Sequence, residues 1–171
     1  HDLYPGSRVV IDIPVSNGYY VDLYIGRAVS LEDTERIRKR MQEIIDAKMP
    51  VRRFEVPTGE AVKMFEDKGD CAKAKLLRSS GALYTLYYQI DDYVDYYYGS
   101  LLTNTSKLYL FGLEKYFDGL LLRIPDLKNP GVLPEMTHQD KMFEIFKEHH
   151  RWQDIMGVRT IGDFNEMVSE G

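Results

Sequence analysis

The sequence has few of the residues that form disulfides and metal centres. Among 171 residues there is one cysteine, Cys71, and the histidines stand at positions 1, 138, 149 and 150. A single cysteine cannot form an internal disulfide, so nothing indicates an oxidising compartment. The motifs C-x-x-C, H-E-x-x-H and H-x-x-x-H are absent, and a zinc site would need distant residues to converge. We therefore expect no metal site.

Phosphate-binding loops and long apolar runs are also missing. No G-x-x-x-x-G-K-[ST] and no G-x-G-x-x-G occurs, so the sequence offers no loop to hold nucleotide phosphates and predicts no cofactor in this chain. No apolar run approaches the roughly 18 residues of a membrane span, and no signal peptide is visible. We expect a cytoplasmic protein without membrane contact.

The charge balance is mildly acidic. The formal net charge is −5, with 44% hydrophobic and 29% charged residues, which is ordinary for a globular domain. A net negative charge disfavours a general nucleic-acid surface, although basic clusters at 36–40 and 52–53 leave a local one open. The length suits one well-buried domain, or one domain with a small helical appendage.

Tyrosine is abundant, and the stretch 83–124 is rich in it. Aromatic and β-branched residues favour sheets, and we predict strands at about 83–90 and 119–124, a turn-rich crossing at 99–107 and a short helix at 111–117. The tyrosines pack as large amphipathic rings, or alternatively line a base-stacking or ligand-binding surface.

The N-terminal half alternates strands and helices. Residues 8–14 and 19–25 predict a hairpin that turns at Asn17-Gly18. Ser30 and Asp33 form a capping pattern for a helix that ends before Pro50. A strand at 51–56 follows, then a helix capped by Thr58 and closed by Gly69, and a helix at 71–78 capped by Asp70. Because no regular βαβ rhythm appears, we predict an α+β fold with a mostly antiparallel sheet.

The composition changes after Ile124, where prolines and glycines mark a loop. Thr137 and Asp140 predict the start of a helix, and a last short helix is predicted at 161–169. We therefore predict an α+β domain at 1–134 and a helical extension at 135–171, which either docks on the sheet or leads away from it. Adjacent histidines at 149 and 150 would point about 100° apart and could not chelate one ion. Asp91 and Asp92 are interpreted as a turn, or alternatively as an acid–base pair.

Several segments resemble a known family. LYPGSRVVIDIPVSNGYYVDL (3–23), PVRRFEV (50–56), YVDYYYG (93–99) and FDGLLLRI (117–124) resemble the second N-terminal domain of threonyl-tRNA synthetases, the module that hydrolyses mischarged tRNA. The tail KEHHRWQDIMGVRTIGDFNEMV (147–168) is similar to the linker of a bacterial uridine-kinase-like family, in which a TGS domain and a synthetase-like domain precede a P-loop kinase.

The resemblance implies a function. We expect a non-catalytic accessory region of a uridine or nucleoside kinase, with its own kinase domain as partner, a nucleoside or tRNA as ligand, and ATP and Mg²⁺ only in the missing kinase domain. The alternatives are a tRNA-editing deacylase and a module that binds a small ligand or a tRNA arm.

The resemblance also implies site residues. Tyr97 and Leu101 stand where the synthetase module has a C-x-x-x-H pair, and neither side chain can ligate a metal or act as a base, so no catalytic residue is predicted. The positions that match the module's pocket are Asn17, Gly18, Tyr20, Lys73 and Asp95. We expect Tyr20, Lys73 and Asp95 to converge in one cleft. The alternative is that Lys73 is a solvated helix residue and Asp95 caps a turn.

Overall fold

The computed structural model describes residues 2–137 and 139–156. It confirms an α+β fold with antiparallel sheets. The strands are β1 (Arg8–Val15), β2 (Gly18–Tyr24), β3 (Arg52–Pro57), β4 (Tyr84–Ile90), β5 (Tyr93–Tyr96), β6 (Gly112–Tyr116) and β7 (Gly119–Arg123). The helices are α1 (Leu31–Asp46), α2 (Thr58–Asp67), α3 (Cys71–Ser79) and α4 (Asp140–Met156). The helix predicted at 161–169 lies outside the described residues.

The chain forms two compact units. Of the described residues, the first unit contains 2–48, 105–137 and 139–146, and the second contains 49–104 and 147–156. The sheet of the first unit has the order β1-β2-β7-β6, and that of the second has the order β3-β4-β5. Residues 49–104 of the second unit therefore separate β1 and β2 in sequence from β6 and β7, which complete the sheet of the first unit.

The predicted N-terminal hairpin is confirmed, but its turn lies one residue earlier than predicted. Val15 pairs with Gly18, so the turn residues are Ser16 and Asn17, with φ of 52° and 59°. Gly18 is required for another reason: a Cβ atom there would lie 2.6 Å from the carbonyl oxygen of Leu122 on β7. The glycine therefore permits close approach of a neighbouring strand and does not supply a positive φ.

The start of α1 has the predicted capping box. The Ser30 hydroxyl accepts a hydrogen bond from the backbone N–H of Asp33, and the Asp33 carboxylate accepts one from the backbone N–H of Ser30. The buried Asp33 carboxylate also accepts hydrogen bonds from Arg27, at 2.5 and 2.9 Å, and from the Tyr4 hydroxyl at 2.6 Å. These partners hold the pKa of Asp33 well below its usual value, and Arg27 has the largest effect.

The sheet of the first unit is buried on both faces. Because side chains alternate along a strand, Tyr20 and Val21 of β2 enter different clusters, as do Leu120 and Leu121 of β7. One cluster includes Ile37 and Met41 of α1 at its edge. The other contains Ile13, Val15, Tyr20, Tyr116, Leu121 and Phe143.

The second unit packs α2 and α3 on its sheet. Ala61, Val62 and Phe65 of α2 meet Ala74 and Leu77 of α3 in one buried cluster. The predicted cap by Asp70 is confirmed, since its carboxylate accepts a hydrogen bond from the backbone N–H of Lys73 at 3.1 Å, and Gly69, with φ of 77°, follows the end of α2.

The predicted cap of α2 is wrong. Pro57 occupies the N-cap position, and no side chain caps the helix. The hydroxyl of Thr58 instead forms a hydrogen bond of 3.0 Å with that of Thr85 on β4. The Thr58 hydroxyl therefore bonds to β4, although the sequence pattern predicts that it caps the N-terminus of α2.

The predicted short helix at 111–117 is also wrong. Residues 112–116 form β6, which pairs antiparallel with β7 through a tight turn at Phe117 and Asp118. Leu113 and Tyr116 are buried in the first unit, and this burial against β7 determines the conformation of a segment with mixed local preference.

The helix predicted after Thr137 is confirmed as α4, and its first turns belong to the first unit. Phe143 is fully buried among Tyr20, Tyr116 and Phe117, with ring centroids 4.6, 5.3 and 4.5 Å away. The side chains of the histidines at 149 and 150 lie outside the described residues. In the described part of the chain, no helix is both long enough and apolar enough to span a membrane.

Candidate functional site

Lys73 and Asp95 form an ion pair in the second unit. The Lys73 ammonium lies 2.6 Å from Asp95 Oδ1 and 2.9 Å from Asp70 Oδ2. Asp70 caps α3 and so fixes the first turn of the helix, from which Lys73 reaches Asp95 on β5. The predicted proximity of Lys73 and Asp95 is thus observed.

Tyr93 completes this group, which we call the Lys73 cluster: Asp70, Lys73, Tyr93 and Asp95. The Tyr93 hydroxyl donates a hydrogen bond of 3.0 Å to Asp95 Oδ2, and the backbone N–H of Tyr96 donates one of 2.7 Å to Asp95 Oδ1. Both oxygens of Asp95 are therefore engaged, and its carboxylate is fixed in orientation.

The electrostatics of the Lys73 cluster follow from burial and charge. Burial alone would lower the pKa of Lys73, but its hydrogen bonds to Asp95 and Asp70 outweigh burial and raise that pKa above its usual value. Burial, followed by the negative charge of Asp95, raises the pKa of Tyr93. Lys73 is therefore cationic and Tyr93 is a neutral donor at neutral pH.

The cluster is accessible. The side chains of Lys73, Asp70 and Asp95 are 30%, 35% and 39% exposed to solvent. A ligand can therefore reach them, and their partial burial reduces the screening of their charges by solvent. Two carboxylates and one ammonium leave one net negative charge. Such a group can accept hydrogen bonds from a ligand ammonium and donate from Lys73 to a ligand carbonyl or hydroxyl. Within the described ranges, no three His, Cys, Asp or Glu side chains are grouped so as to hold a metal ion.

Tyr20 lies in the first unit. Its side chain is only 3% exposed and packs edge-on against Tyr116 and Phe143, with ring centroids 6.4 and 4.6 Å away. Burial raises the pKa of its hydroxyl well above the usual value. Within the first unit, Tyr20 is therefore a core residue, and its predicted meeting with Lys73 and Asp95 stays a prediction.

Asn17 and Gly18, the other two predicted site residues, line a cavity that we call the hairpin-turn pocket. It has a volume of about 650 Å³ and lies wholly within the first unit. The segment after β7 is hydrogen-bonded to the hairpin turn. Asn17 donates a hydrogen bond to the carbonyl of Glu135, and the Gln139 side chain accepts one from the backbone N–H of Ser16, each at 2.9 Å. The other lining residues are Pro14, Val15, Tyr19, Ile124, Pro125, Asp126, Leu127 and Pro134.

The structure places Tyr97 and Leu101 on the surface, 41% and 43% exposed. The Tyr97 ring packs against that of Tyr98, with centroids 5.1 Å apart, and covers Gly99, where a Cβ atom would lie 2.7 Å from it. The Gly99 carbonyl accepts a hydrogen bond from the Tyr88 hydroxyl at 2.7 Å. These residues shape the end of β5 and offer no metal ligand or general base near neutral pH.

Sequence reasoning missed two members of the Lys73 cluster. Asp70 is predicted only as a cap, and its position three residues before Lys73 on a helix is the signal that could have indicated the ion pair. Tyr93 lies two residues before Asp95 on one strand, so both side chains point to the same face. The sequence analysis predicts β4, at about 83–90, but not β5, the strand that pairs with it and carries Tyr93 and Asp95.

Comparison with known proteins finds several threonine–tRNA ligases. The chain is 34% identical over 162 residues to the one from Syntrophotalea carbinolica, covering 88% of this chain and 25% of the relative. It is 33% identical over 115 residues to the one from Marinobacter nauticus, covering 67% and 18%. It is 37% identical over 93 residues to the one from Nitratidesulfovibrio vulgaris, covering 54% and 14%.

No protein-family model matches the chain. The chain spans a quarter or less of the length of these curated relatives. It is therefore homologous to a segment of threonine–tRNA ligases, and the α+β fold with antiparallel sheets is consistent with the editing-type part of such an enzyme.

Proposed function

We propose that this chain is a binding module for the aminoacylated end of a tRNA, and that the Lys73 cluster receives the aminoacyl group. The support is homology to threonine–tRNA ligases over most of the chain. The observation that carries the proposal is the Lys73–Asp95 ion pair at 2.6 Å, between two positions at which the sequence resembles the synthetase pocket.

The chemistry of the cluster matches an aminoacyl ester. Such an ester carries an ammonium group, a carbonyl and, for serine or threonine, a hydroxyl. Asp70 and Asp95 can accept from the ammonium, while Lys73 donates to the carbonyl or hydroxyl. Hydrogen bonds to charged groups are about twice as strong as neutral ones, so a half-buried cluster can bind without a deep cavity.

The module binds without hydrolysing. The positions of the family's C-x-x-x-H pair hold Tyr97 and Leu101, which supply neither a metal ligand nor a base at neutral pH. Of the two tRNA-directed functions, hydrolysis of the aminoacyl ester therefore has less support than binding. An accessory role beside a uridine-kinase-type domain, with ATP and Mg²⁺ bound there, stays a prediction from the resemblance of 147–168, and the matched relatives give it no support.

Binding is tested with non-hydrolysable seryl- and threonyl-adenosine analogues by isothermal titration calorimetry. We expect Lys73→Gln and Asp95→Asn each to weaken binding tenfold or more, because loss of a charge-assisted hydrogen bond costs about 1.5–3 kcal/mol. Lys63→Gln and Asp67→Asn are matched controls, since both residues are exposed on α2 in the same unit, and they should bind as the wild type does. Equal affinity in all variants contradicts the proposal.

A deacylation assay tests the second half of the proposal. Seryl-tRNA incubated with the chain should lose its aminoacyl group no faster than in buffer. If the chain accelerates hydrolysis and Lys73→Gln abolishes that acceleration, the cluster is a hydrolytic site and binding without cleavage is wrong.

A further inference from the structure

An open groove runs along α1 in the first unit, and it shares no lining residue with the hairpin-turn pocket. Its volume is about 700 Å³, within the range of ligand-binding clefts. One wall is formed by α1, where positions 35, 38, 39 and 42 share a face by their helical spacing. The other wall is the segment 109–111, which precedes β6. The lining residues are Glu35, Arg36, Arg38, Lys39, Gln42, Tyr109, Leu110 and Phe111.

The groove is positively charged although the chain is acidic. Glu35 accepts a hydrogen bond from Arg38 at 2.6 Å, so these two charges cancel. The Arg36 guanidinium lies over the Tyr4 ring, 5.5 Å from its centroid, which orients the cation without neutralising it. Lys39 makes no ion pair with any described residue. The groove therefore has two uncompensated positive charges in a chain whose net charge is −5.

An exposed aromatic ring faces these cations across the groove. Tyr109 is 64% exposed, and its hydroxyl donates a hydrogen bond of 2.9 Å to the carbonyl of Pro130, which fixes the ring in place. Phe111, two residues later, packs at the edge of a buried cluster and anchors the segment. An oriented, solvent-accessible ring beside cations is the arrangement on which bases stack in single-stranded nucleic-acid sites.

We infer that this groove binds the phosphodiester backbone of a single-stranded RNA, with Arg36 and Lys39 on phosphates and a base on Tyr109. The combination of two unpaired cations with a fixed, exposed ring favours RNA over an acidic peptide, which gains little from the ring, and over an anionic membrane, which would need a continuous basic and apolar face. The inference rests on the proposed function in that both take an RNA, but it uses other residues in another unit.

The test is fluorescence anisotropy of the 171-residue chain with a short fluorescein-labelled single-stranded RNA at several salt concentrations. We expect wild-type affinity to fall steeply with salt, and R36Q/K39Q to reduce the slope of log K against log salt by about 1.4, since each phosphate contact on a single strand contributes about 0.7. At about 0.1 M salt this corresponds to an affinity loss of about fivefold for each charge.

Matched variants separate a specific groove from general charge attraction. R52Q/R53Q removes the same charge from exposed positions of β3 in the other unit and should leave the slope unchanged. Tyr109→Ala should weaken binding at every salt concentration with little change in slope, whereas Tyr109→Phe keeps the ring and should bind nearly as the wild type does. Thermal unfolding of each variant checks that folding is preserved.

Three results would overturn the inference. The first is that the wild type does not bind RNA at low salt. The second is that R36Q/K39Q and R52Q/R53Q lose RNA affinity equally. The third is that the groove binds phosphatidylserine vesicles or polyglutamate but not RNA. Its failure can be told apart from failure of the proposed function, because calorimetry with the aminoacyl-adenosine analogues depends on Lys73 and Asp95. We expect R36Q/K39Q to retain that binding.

Discussion

Lys73 on α3 and Asp95 on β5 are 22 positions apart in sequence, yet their charged atoms lie 2.6 Å apart, and this pair joins a helix to a sheet. Both side chains are about one-third exposed, and exposed ion pairs contribute little to folding. We therefore expect a double-mutant cycle with Lys73→Ala and Asp95→Ala to give a coupling energy of about 0.5–1 kcal/mol in urea unfolding. A coupling of several kcal/mol would show that the pair is a structural element and would weaken its assignment as a ligand site.

Asp33 is expected to make folding depend on pH. Its pKa in the folded state lies below the unfolded value of about 3.9, so its stabilising contribution is complete above that value and is lost as the pH falls toward the folded pKa. Asp33→Asn should lower the free energy of unfolding by about 2 kcal/mol at pH 7, because a buried, charge-assisted network is broken. The difference between the two proteins should shrink below about pH 4.

The control for this prediction is Glu32→Gln, which neutralises an exposed carboxylate in the same helical turn. It should change stability by only a few tenths of a kcal/mol. A wild-type stability that is flat between pH 7 and pH 3 would contradict the role assigned to Asp33.

Phe143 tests whether α4 is part of the first unit. Its fully buried ring touches three other aromatic rings, so Phe143→Ala should lower the free energy of unfolding by about 3–5 kcal/mol, measured by urea denaturation. Ile145→Ala, at a side chain 67% exposed on the same helix, should cost well under 1 kcal/mol. Equal effects of the two substitutions would mean that residues 135–146 do not dock on the sheet.

Substitution of two glycines by alanine should change the stability of the protein in opposite directions. At Gly18 the added Cβ atom would lie 2.6 Å from a backbone oxygen of β7, and we expect a loss of about 1–3 kcal/mol in thermal unfolding. At Gly59, in the first turn of α2, no atom lies within 4 Å of the added group, and we expect a gain of up to about 1 kcal/mol. A neutral Gly18→Ala would mean that β2 and β7 are less closely packed than described.

The features that could be predicted from sequence are those set by neighbours along the chain. The N-terminal hairpin and the capping box of Ser30 with Asp33 depend on residues within a few positions of one another, and both were predicted. Strand β6 was mistaken for a helix because its partner β7, and not its own composition, determines its conformation. The Asp118-Gly119 pair between two apolar runs was the turn signal that could have identified it.

The candidate site shows the same limit. No local pattern pairs Lys73 with Asp95, and only the resemblance to a family placed them together. The same resemblance assigns Tyr20 to this pocket, and that assignment stays a prediction. Within the first unit, the Tyr20 ring lies in the core, where β2 pairs with β7 at Leu121, about a hundred residues away in sequence. The groove along α1 was visible in sequence only as a basic cluster, because its aromatic wall at 109–111 comes from a distant segment.

The most direct test of the account is to locate the ligand by NMR. A non-hydrolysable seryl- or threonyl-adenosine analogue is titrated into the ¹⁵N-labelled chain, and amide shifts are followed. We predict the largest shifts at Lys73, whose N–H bonds to Asp70, and at Tyr96, whose N–H bonds to Asp95. Shifts concentrated at Asn17 and Gly18 in the hairpin-turn pocket, with none at Lys73 or Tyr96, would contradict the assignment of the Lys73 cluster as the binding site.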